Sequence, residues 1–189
     1  MAFRVTYVGE LGYELYIPSE FACHVYETLW ESGQDLDIAN AGYRTIASTH
    51  LEKGYSDWGS ELSPEYTPYD AGIGFCVDLK KDEVIGKAAL ARIKAEGAKW
   101  KLCTFTIDAG KPLMLQGSAP ILNNGNVVGV TTSSGYGHTI GKNICYGYLP
   151  AGMSDVMDGF EIESYKTVYP AEREIDRALY DQKREKILS

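Results

Sequence analysis

The sequence predicts an α+β protein, with helices in its first half and short antiparallel strands in its second half. In the first half, apolar residues recur every three or four positions, which is the spacing of one helix face. From residue 100 onward, short alternating segments are separated by turns rich in glycine and asparagine. A charged, glycine-containing stretch at 94–99 lies between the two patterns. We therefore expect a first domain over 1–97, a second domain over 98–172 and a charged tail over 173–189.

The first domain is predicted to begin with a β-hairpin and to continue as two helices. Residues 3–7 and 12–17 alternate around a Gly-Glu-Leu-Gly turn. Residues 20–32 carry apolar side chains at helical spacing, which predicts an amphipathic helix. A second helix is predicted over 41–53 and ends at Gly54, because glycine commonly terminates helices.

The rest of the first domain is predicted as a long loop, a short strand and a third helix. Residues 57–72 contain two prolines and no periodicity, and loops of this length are uncommon unless they carry function. The apolar run at 74–79 predicts a strand, and residues 85–95 predict a helix. Aromatic residues in the loop either stack on a ligand or fasten the loop to the core: Trp58, Tyr66 and Tyr69.

The second domain is predicted to be a small antiparallel β-barrel or sandwich. Its turn at 123–126 is Asn-Asn-Gly-Asn, residues that tolerate the positive φ of a tight hairpin. The predicted strands span residues 102–107, 119–122, 127–132, 144–149, 160–165 and 167–169. The tail is dense in both charge signs, which predicts either a solvated helix or a frayed terminus.

Composition excludes several classes of partner. The 189 residues are 44% hydrophobic and carry a formal net charge of -8, so the chain can bury a core and is acidic. An acidic chain without long basic clusters does not favour nucleic acid or an anionic membrane surface. No apolar run of about eighteen residues and no signal peptide is present, so we expect a cytoplasmic protein.

The cysteines and histidines do not predict a metal site or a catalytic centre. The four cysteines are widely spaced, without a Cys-x-x-Cys pair, so we expect buried free thiols. Each histidine lacks a carboxylate or nucleophile at a spacing that would suggest catalysis: His24, His50 and His138. We therefore assign no catalytic residue and no metal ligand.

The most informative motif is Tyr-Val-Gly-Glu-Leu-Gly-Tyr-Glu at 7–14, followed by Leu-Glu-Lys-Gly-Tyr at 51–55 and Trp58-Gly59. We call these segments the signature. The glycines near Glu10 let the backbone turn tightly, and a carboxylate can accept two parallel N–H bonds from a flat heterocycle. Alone, the first segment favours a plain hairpin turn with one exposed glutamate. The second segment favours a binding role.

This order of motifs resembles the glycine-cleavage T-protein (aminomethyltransferase) family. The resemblance continues through Ile-Gly-Lys-Ala-Ala-Leu at 85–90 and through Asn-Gly-Asn-Val-Val-Gly-Val-Thr at 124–131. Ala-Gly-Tyr-Arg at 41–44 and residues 121–148 are most similar to the C-terminal part of sarcosine and dimethylglycine dehydrogenases. The resemblance covers roughly residues 3–170, nearly the whole chain.

The resemblance implies a partial folate-binding α/β domain followed by a small β-barrel, with tetrahydrofolate as the cofactor and FAD only in an upstream domain. It implies that Glu10 anchors the edge of the pterin, with Tyr7 and Tyr13 beside it and Trp58 closing the pocket. Glu52 is expected near the same cleft. As a charged helix end, Glu52 could equally pair with a neighbouring basic residue, either Lys53 or Arg44.

One departure from the family lies inside the matched region. Where the T-protein branch has Arg-Asp-Ser-Leu-Arg-Leu-Glu, this chain has Ile-Ala-Ser-Thr-His-Leu-Glu at 46–52. Both arginines are replaced, which favours the dehydrogenase branch. Arg44 lies two positions earlier, about 200 degrees around a helix, and does not substitute for the first arginine.

The resemblance also implies that the chain is a C-terminal fragment or a split subunit, since family members begin upstream with a half-domain that carries the catalytic aspartate. We therefore expect a tetrahydrofolate-binding portion of a one-carbon-transfer enzyme, inactive alone and completed by its upstream half or a partner subunit. The alternative is a catalytically inactive interaction or regulatory module of the same fold. We further expect self-association of the isolated chain, and a mitochondrial matrix location if the source is eukaryotic.

Overall fold

The computed structural model describes residues 1–188 and has the predicted α+β architecture. Strands β1 (Ala2–Phe3) and β2 (Glu14–Leu15) form a small antiparallel pair. Three helices follow: α1 (Ala22–Ser32), α2 (Tyr43–Glu52) and α3 (Lys87–Glu96). Glycines just beyond the last two helices adopt positive φ, at +74° for Gly54 and +89° for Gly97, which ends each helix as the sequence predicts.

The second half is a closed antiparallel barrel, which confirms one of the two predicted β architectures. Around the barrel the strand order is β3-β6-β5-β4-β7-β8, and every neighbouring pair is antiparallel. The strands are β3 (Trp100–Ile107), β4 (Pro120–Asn123), β5 (Asn126–Gly137), β6 (Lys142–Pro150), β7 (Phe160–Ser164) and β8 (Thr167–Arg173).

Two buried clusters organise the molecule. The first fills the barrel and includes Phe105, Ile121, Leu149 and Ile162. The second joins the last turn of α2 to the outside of the barrel, through Leu51, Leu102, Ile144, Tyr146 and Tyr148. Because burial of each large apolar side chain contributes about 1.5–3 kcal/mol, this second cluster holds the signature segment against the barrel wall.

Two predicted elements of the first domain differ from the structure. The predicted hairpin is reduced to two residues in each strand, because the chain between them turns away to pack on the end of α2. The predicted strand at 74–79 is instead a 3-10 turn at Gly74–Cys76. Its apolar run finds no strand to pair with, and the side chain of Phe75 is exposed.

The first domain exposes much of its apolar surface. Helix α1 is amphipathic as predicted, yet none of its residues is buried. The exposed large apolar side chains of the first forty residues include Phe21, Tyr26, Leu29 and Leu36. This surface exceeds the scattered single residues that are ordinary in a monomer.

The charged tail is neither a solvated helix nor frayed. Residues 174–188, which we call the tail strap, cross the first domain in an irregular path fixed by long-range hydrogen bonds. The amides of Leu179 and Tyr180 donate to the Glu52 carbonyl at 2.8 and 3.0 Å, and the Leu11 amide donates to the Lys186 carbonyl at 3.1 Å. These partners are distant in sequence, so the local charge pattern could not predict the strap.

The thiols divide into two classes. Cys103 and Cys145 are buried as expected, and burial raises the pKa of Cys145 to about 12. Cys23 and Cys76 are exposed, so the expectation of burial was wrong for them.

Within residues 1–188, no cluster of three or more His, Cys, Asp and Glu side chains is placed to hold a metal ion. No helix in that range is both long and apolar enough to cross a bilayer.

Candidate ligand-binding site

The two parts of the signature are in direct contact. Gly9 adopts φ +75° at the turn, and its backbone packs on the Lys53 side chain. A methyl group added at Gly9 would lie 2.0 Å from Lys53 Cε. The turn therefore requires glycine both for its backbone conformation and for its close approach to the end of α2. The hydroxyl of Thr6 supports the turn by accepting the amides of Val8 and Gly9.

Tyr7 fixes the entry to this turn. Its ring stacks on His50 of α2, with centroids 5.2 Å apart and planes 12° apart, and on Tyr55 at 6.2 Å. Burial raises the pKa of the Tyr7 hydroxyl, and the nearby carboxylates of Asp57 and Glu61 raise it further. The phenol is therefore neutral across the physiological range and keeps its proton as a hydrogen-bond donor.

Glu10 is half-buried at the turn, beside the tail strap. Its carboxylate lies near the Tyr180 hydroxyl. Desolvation raises the pKa of that hydroxyl, and the charge of Glu10 adds to the effect. The carboxylate of the motif thus lies beside the tail strap.

Glu52 connects the first domain to the barrel. The residue is 3% exposed. Its Oε1 accepts the amides of Thr139 at 2.6 Å and Ile140 at 3.2 Å, and its Oε2 accepts the Thr139 hydroxyl at 2.9 Å. Lys53 pairs instead with Asp181 of the tail strap, Nζ to Oδ2 at 2.6 Å. The carboxylate of Glu52 therefore holds the barrel loop 138–141.

The remaining predicted ligand residues are at the surface. Tyr13 is 62% exposed and Trp58 is 73% exposed. Of the other loop aromatics, Tyr66 stacks on Tyr148 of the barrel at 3.6 Å and fastens the loop to the core. The structure thus brings Tyr7, Glu10 and Glu52 to the end of α2, whereas Tyr13 and Trp58 lie outside this cluster. The ligand roles of all five residues stay predictions.

A cleft between α2 and the barrel was not predicted from the sequence. It encloses about 250 Å³ and is lined by residues that include Tyr7, Tyr43, His50, Asp57, Ser133 and Ser134. We call it the α2 cleft. Two polar atoms in its lining residues, Tyr7 Oη and His50 Nε2, are buried without a hydrogen-bond partner. His50 occupies the position of the family's second arginine, and this replacement was the sequence feature that could have identified it.

Charges around the α2 cleft are held in fixed positions. The Glu61 side chain accepts the Asp57 amide at 2.9 Å and the Thr132 hydroxyl at 2.6 Å. Arg177 of the tail strap donates to the Ala71 carbonyl at 2.7 Å and to the Ser56 hydroxyl. Burial lowers the pKa of this guanidinium, while neighbouring tyrosines and Glu61 oppose the change.

The closed barrel packed on α2 places the chain in the aminomethyltransferase class of folds. The fold is similar to the crystal structure of glycine cleavage system aminomethyltransferase T from Bartonella henselae, with a TM-score of 0.83 and 24% identity. The match covers 96% of this chain and 50% of that chain. The GCVT N-terminal domain family matches residues 1–81, and the glycine cleavage T-protein C-terminal barrel domain family matches residues 101–181. The chain belongs to the glycine cleavage T-protein family.

Relatives in the family include much longer proteins. Mitochondrial dimethylglycine dehydrogenase of Mus musculus is 37% identical over 171 residues, which are 90% of this chain and 20% of that protein. The mitochondrial pyruvate dehydrogenase phosphatase regulatory subunit of Mus musculus is 38% identical over 149 residues, which are 77% of this chain and 17% of that protein. The chain thus spans about a fifth of the length of these curated relatives.

Proposed function

We propose that the chain is the tetrahydrofolate-binding C-terminal portion of a sarcosine-dehydrogenase-like or aminomethyltransferase-like enzyme. In such an enzyme, a one-carbon unit passes from a methylated amine or aminomethyl donor to tetrahydrofolate. The observation that supports this most directly is the contact between the two parts of the signature, where Gly9 packs on Lys53. This contact fixes the glutamate turn against α2, as a rigid ligand site requires.

The residues at the turn fit tetrahydrofolate chemically. A carboxylate such as Glu10 can accept two parallel N–H bonds from the amino edge of a pterin, and the half-buried position strengthens such bonds. Its charge raises the pKa of the nearby Tyr180 hydroxyl, so the carboxylate influences a donor beside it. Tyr7 would lie beside the ring, and the exposed faces of Tyr13 and Trp58 would be available for stacking. Bound tetrahydrofolate would supply the nitrogen that accepts the one-carbon unit.

Glu52 takes a positioning role in this proposal. Both of its carboxylate oxygens accept hydrogen bonds from the barrel loop, so few acceptor sites are left for a ligand. It would keep the loop 138–141 in place at the edge of the folate site. No residue of the chain is assigned as the acid or base of the transfer.

The complete reaction belongs in our proposal to a longer protein. The relatives are about five times longer than the matched segment, so the acid–base group and any FAD domain would come from other segments of such a protein or from a partner subunit. The location is proposed as cytoplasmic, or the mitochondrial matrix in a eukaryote, as the names of the mitochondrial relatives suggest.

The apolar side chains of α1 are exposed in this chain. In the longer protein, we propose that another segment covers them. In the isolated chain, the same surface is expected to drive self-association, because side chains such as Leu29 and Tyr26 are left in water. Sedimentation velocity over a concentration series should show a weight-average mass that rises above 20.9 kDa. A constant monomer mass at the highest concentration would contradict the expectation.

Replacement of Glu10 by glutamine tests folate binding. Glutamine keeps the size but offers one acceptor oxygen and no charge, so the affinity for tetrahydrofolate is expected to fall about tenfold or more. Isothermal titration of the full-length protein that carries these residues measures this. Glu14→Gln is the matched control, since Glu14 is an exposed glutamate four residues away on β2. Equal affinities for Glu10→Gln and the unaltered protein would contradict the proposal.

The second candidate function is a catalytically inactive interaction or regulatory module. It is favoured by the similarity to a phosphatase regulatory subunit and by the loss of both family arginines from α2. The same titration separates the two functions. Absence of tetrahydrofolate binding in the unaltered full-length protein would favour the regulatory module.

A further inference from the structure

A groove between the long loop and the barrel lies apart from the proposed folate site. It encloses about 520 Å³, and its walls are residues between 59 and 66, strand β5 and the turn before β4. We call it the loop groove. A groove of this size is large enough to hold a small ligand with several polar groups. The residues proposed for the folate site do not line it: Tyr7, Glu10, Tyr13, Glu52 and Trp58.

Four polar side chains of the loop groove are available to a ligand. Within residues 1–188, four groups that line it make no hydrogen bond or ion pair: the hydroxyls of Ser60, Ser118 and Tyr66 and the carboxylate of Glu65. Ser118 and Glu65 are exposed. Ser60 and Tyr66 are half-buried, yet their hydroxyls still contact solvent. A ligand in the groove can therefore reach all four groups.

The loop groove is supported from behind by well-packed residues. The ring of Tyr66 stacks on the buried ring of Tyr148, with centroids 3.6 Å apart. On the barrel side, the Ala119 amide donates to the Thr131 hydroxyl at 2.9 Å, which fixes the residue next to Ser118. Support of this kind holds polar groups in place before a ligand arrives, so less order has to be created on binding.

Ser118 has a strained backbone. Its φ is +56°, in the left-handed region, where a residue with a side chain costs about 1–2 kcal/mol. Glycine would avoid this cost, as at Gly125 in the next turn of the barrel. Backbone strain of this type is concentrated at active sites and ligand-binding sites. Because the Ser118 hydroxyl supports no contact within residues 1–188, the strain is consistent with a role in the loop groove.

The chemistry of these groups favours a neutral ligand that is rich in hydroxyls. In the described part of the chain, no Lys or Arg lines the groove, so an anion finds no countercharge there. The one charged lining residue, Glu65, is exposed, and a single exposed carboxylate attracts a cation only weakly. Hydroxyls both donate and accept, and a carboxylate can accept two O–H bonds from neighbouring hydroxyls of one ligand.

We infer that the loop groove binds a small neutral polyhydroxylated molecule of the sugar type. Two neighbouring hydroxyls of the ligand donate to the Glu65 carboxylate. Its other hydroxyls exchange hydrogen bonds with Ser60, Ser118 and Tyr66. The exposed side chain of Val130 provides an apolar surface for the C–H face of a sugar ring. This site goes beyond the proposed function, because it shares no residue with the folate site.

Titration of the chain with D-glucose, D-mannose and D-galactose, followed by NMR at the amides of Ser60, Glu65 and Ser118, tests the site. We expect saturable shifts at these amides with at least one of the three sugars. Cyclohexanol has a six-membered ring and a single hydroxyl, so it should bind at least about tenfold more weakly. D-glucose 6-phosphate brings negative charge close to Glu65 and should bind more weakly than D-glucose. Failure of all three sugars to give saturable shifts, or tighter binding of D-glucose 6-phosphate than of D-glucose, would overturn the inference.

Two substitutions locate the binding groups. Ser118→Gly removes the hydroxyl and suits the positive φ, so this variant should melt no lower than the unaltered protein while its affinity for the sugar falls about fivefold. Glu65→Gln keeps the size and removes the charge, and it should weaken sugar binding about tenfold. Glu31→Gln, at an exposed glutamate on α1, is the matched control and should leave binding unchanged. If Ser118→Gly and Glu65→Gln both bind the sugar as the unaltered protein does, the inference is wrong.

Discussion

Replacement of Glu52 by alanine is expected to lower the free energy of unfolding by about 3 kcal/mol, because three donors of the barrel loop lose a buried charged acceptor. The amides of Thr139 and Ile140 point into the junction between α2 and the barrel. Without the carboxylate they must either stay unsatisfied or pull the loop 138–141 outward to water. Urea denaturation followed by circular dichroism measures the loss.

Glutamine at position 52 separates charge from hydrogen bonding. Glu52→Gln keeps one side-chain oxygen for the two amides and is expected to cost about 1 kcal/mol. Glu20→Ala, at an exposed glutamate before α1, is the control and should change stability by less than about 0.5 kcal/mol. If Glu52→Ala were as mild as that control, the carboxylate would not be holding the two domains together.

Several barrel strands could be predicted from the sequence because apolar side chains that enter the core recur at alternate positions, as Phe105 and Ile107 do in β3. The hairpin turn at Asn124 and Gly125 adopts the positive φ that its residues predict. Closure of the barrel could not be predicted from the sequence. It depends on pairing between β3 and β8, which are separated by most of the domain, and no local pattern encodes that register.

At the candidate site, the contacts at the C-terminal end of α2 show the same limit of prediction from sequence. The glycines of the motif predicted a tight turn, and Gly9 adopts positive φ there because the turn is a local feature. Glu52 had several possible partners in the sequence, and its actual partner Thr139 lies 87 residues away. His50 was passed over because an isolated histidine resembles any core residue until its unpartnered nitrogen is placed beside Tyr7.

The tail strap also holds the side chain of Lys53. Its ammonium is buried against Asp181, 128 residues later, and lies 5.0 Å from the centre of the Tyr180 ring. The Tyr180 hydroxyl in turn lies near the Glu10 carboxylate. The strap therefore presses on both parts of the signature, so its attachment controls the position of the glutamate turn.

Gly54→Ala is expected to detach this strap and to destabilise the protein by about 3 kcal/mol. Gly54 has φ +74°, and a methyl group there would lie 2.8 Å from the Ala178 nitrogen and 2.9 Å from the Arg177 carbonyl carbon. Both atoms are backbone, so no side-chain rotation relieves the contact. Movement of the strap would break the amide bonds of Leu179 and Tyr180 to the Glu52 carbonyl.

Gly110→Ala provides a matched control, because Gly110 has φ +63° with open space where the methyl group would stand. It carries the backbone strain alone and should cost about 1 kcal/mol. The difference between the two variants is thus the steric effect of the strap. Limited trypsin digestion should cut Gly54→Ala after Lys183 or Arg184 faster than it cuts Gly110→Ala. Equal stabilities and equal cleavage rates would mean that the strap does not rest on Gly54 in solution, and the glutamate turn would then lack its support from the tail.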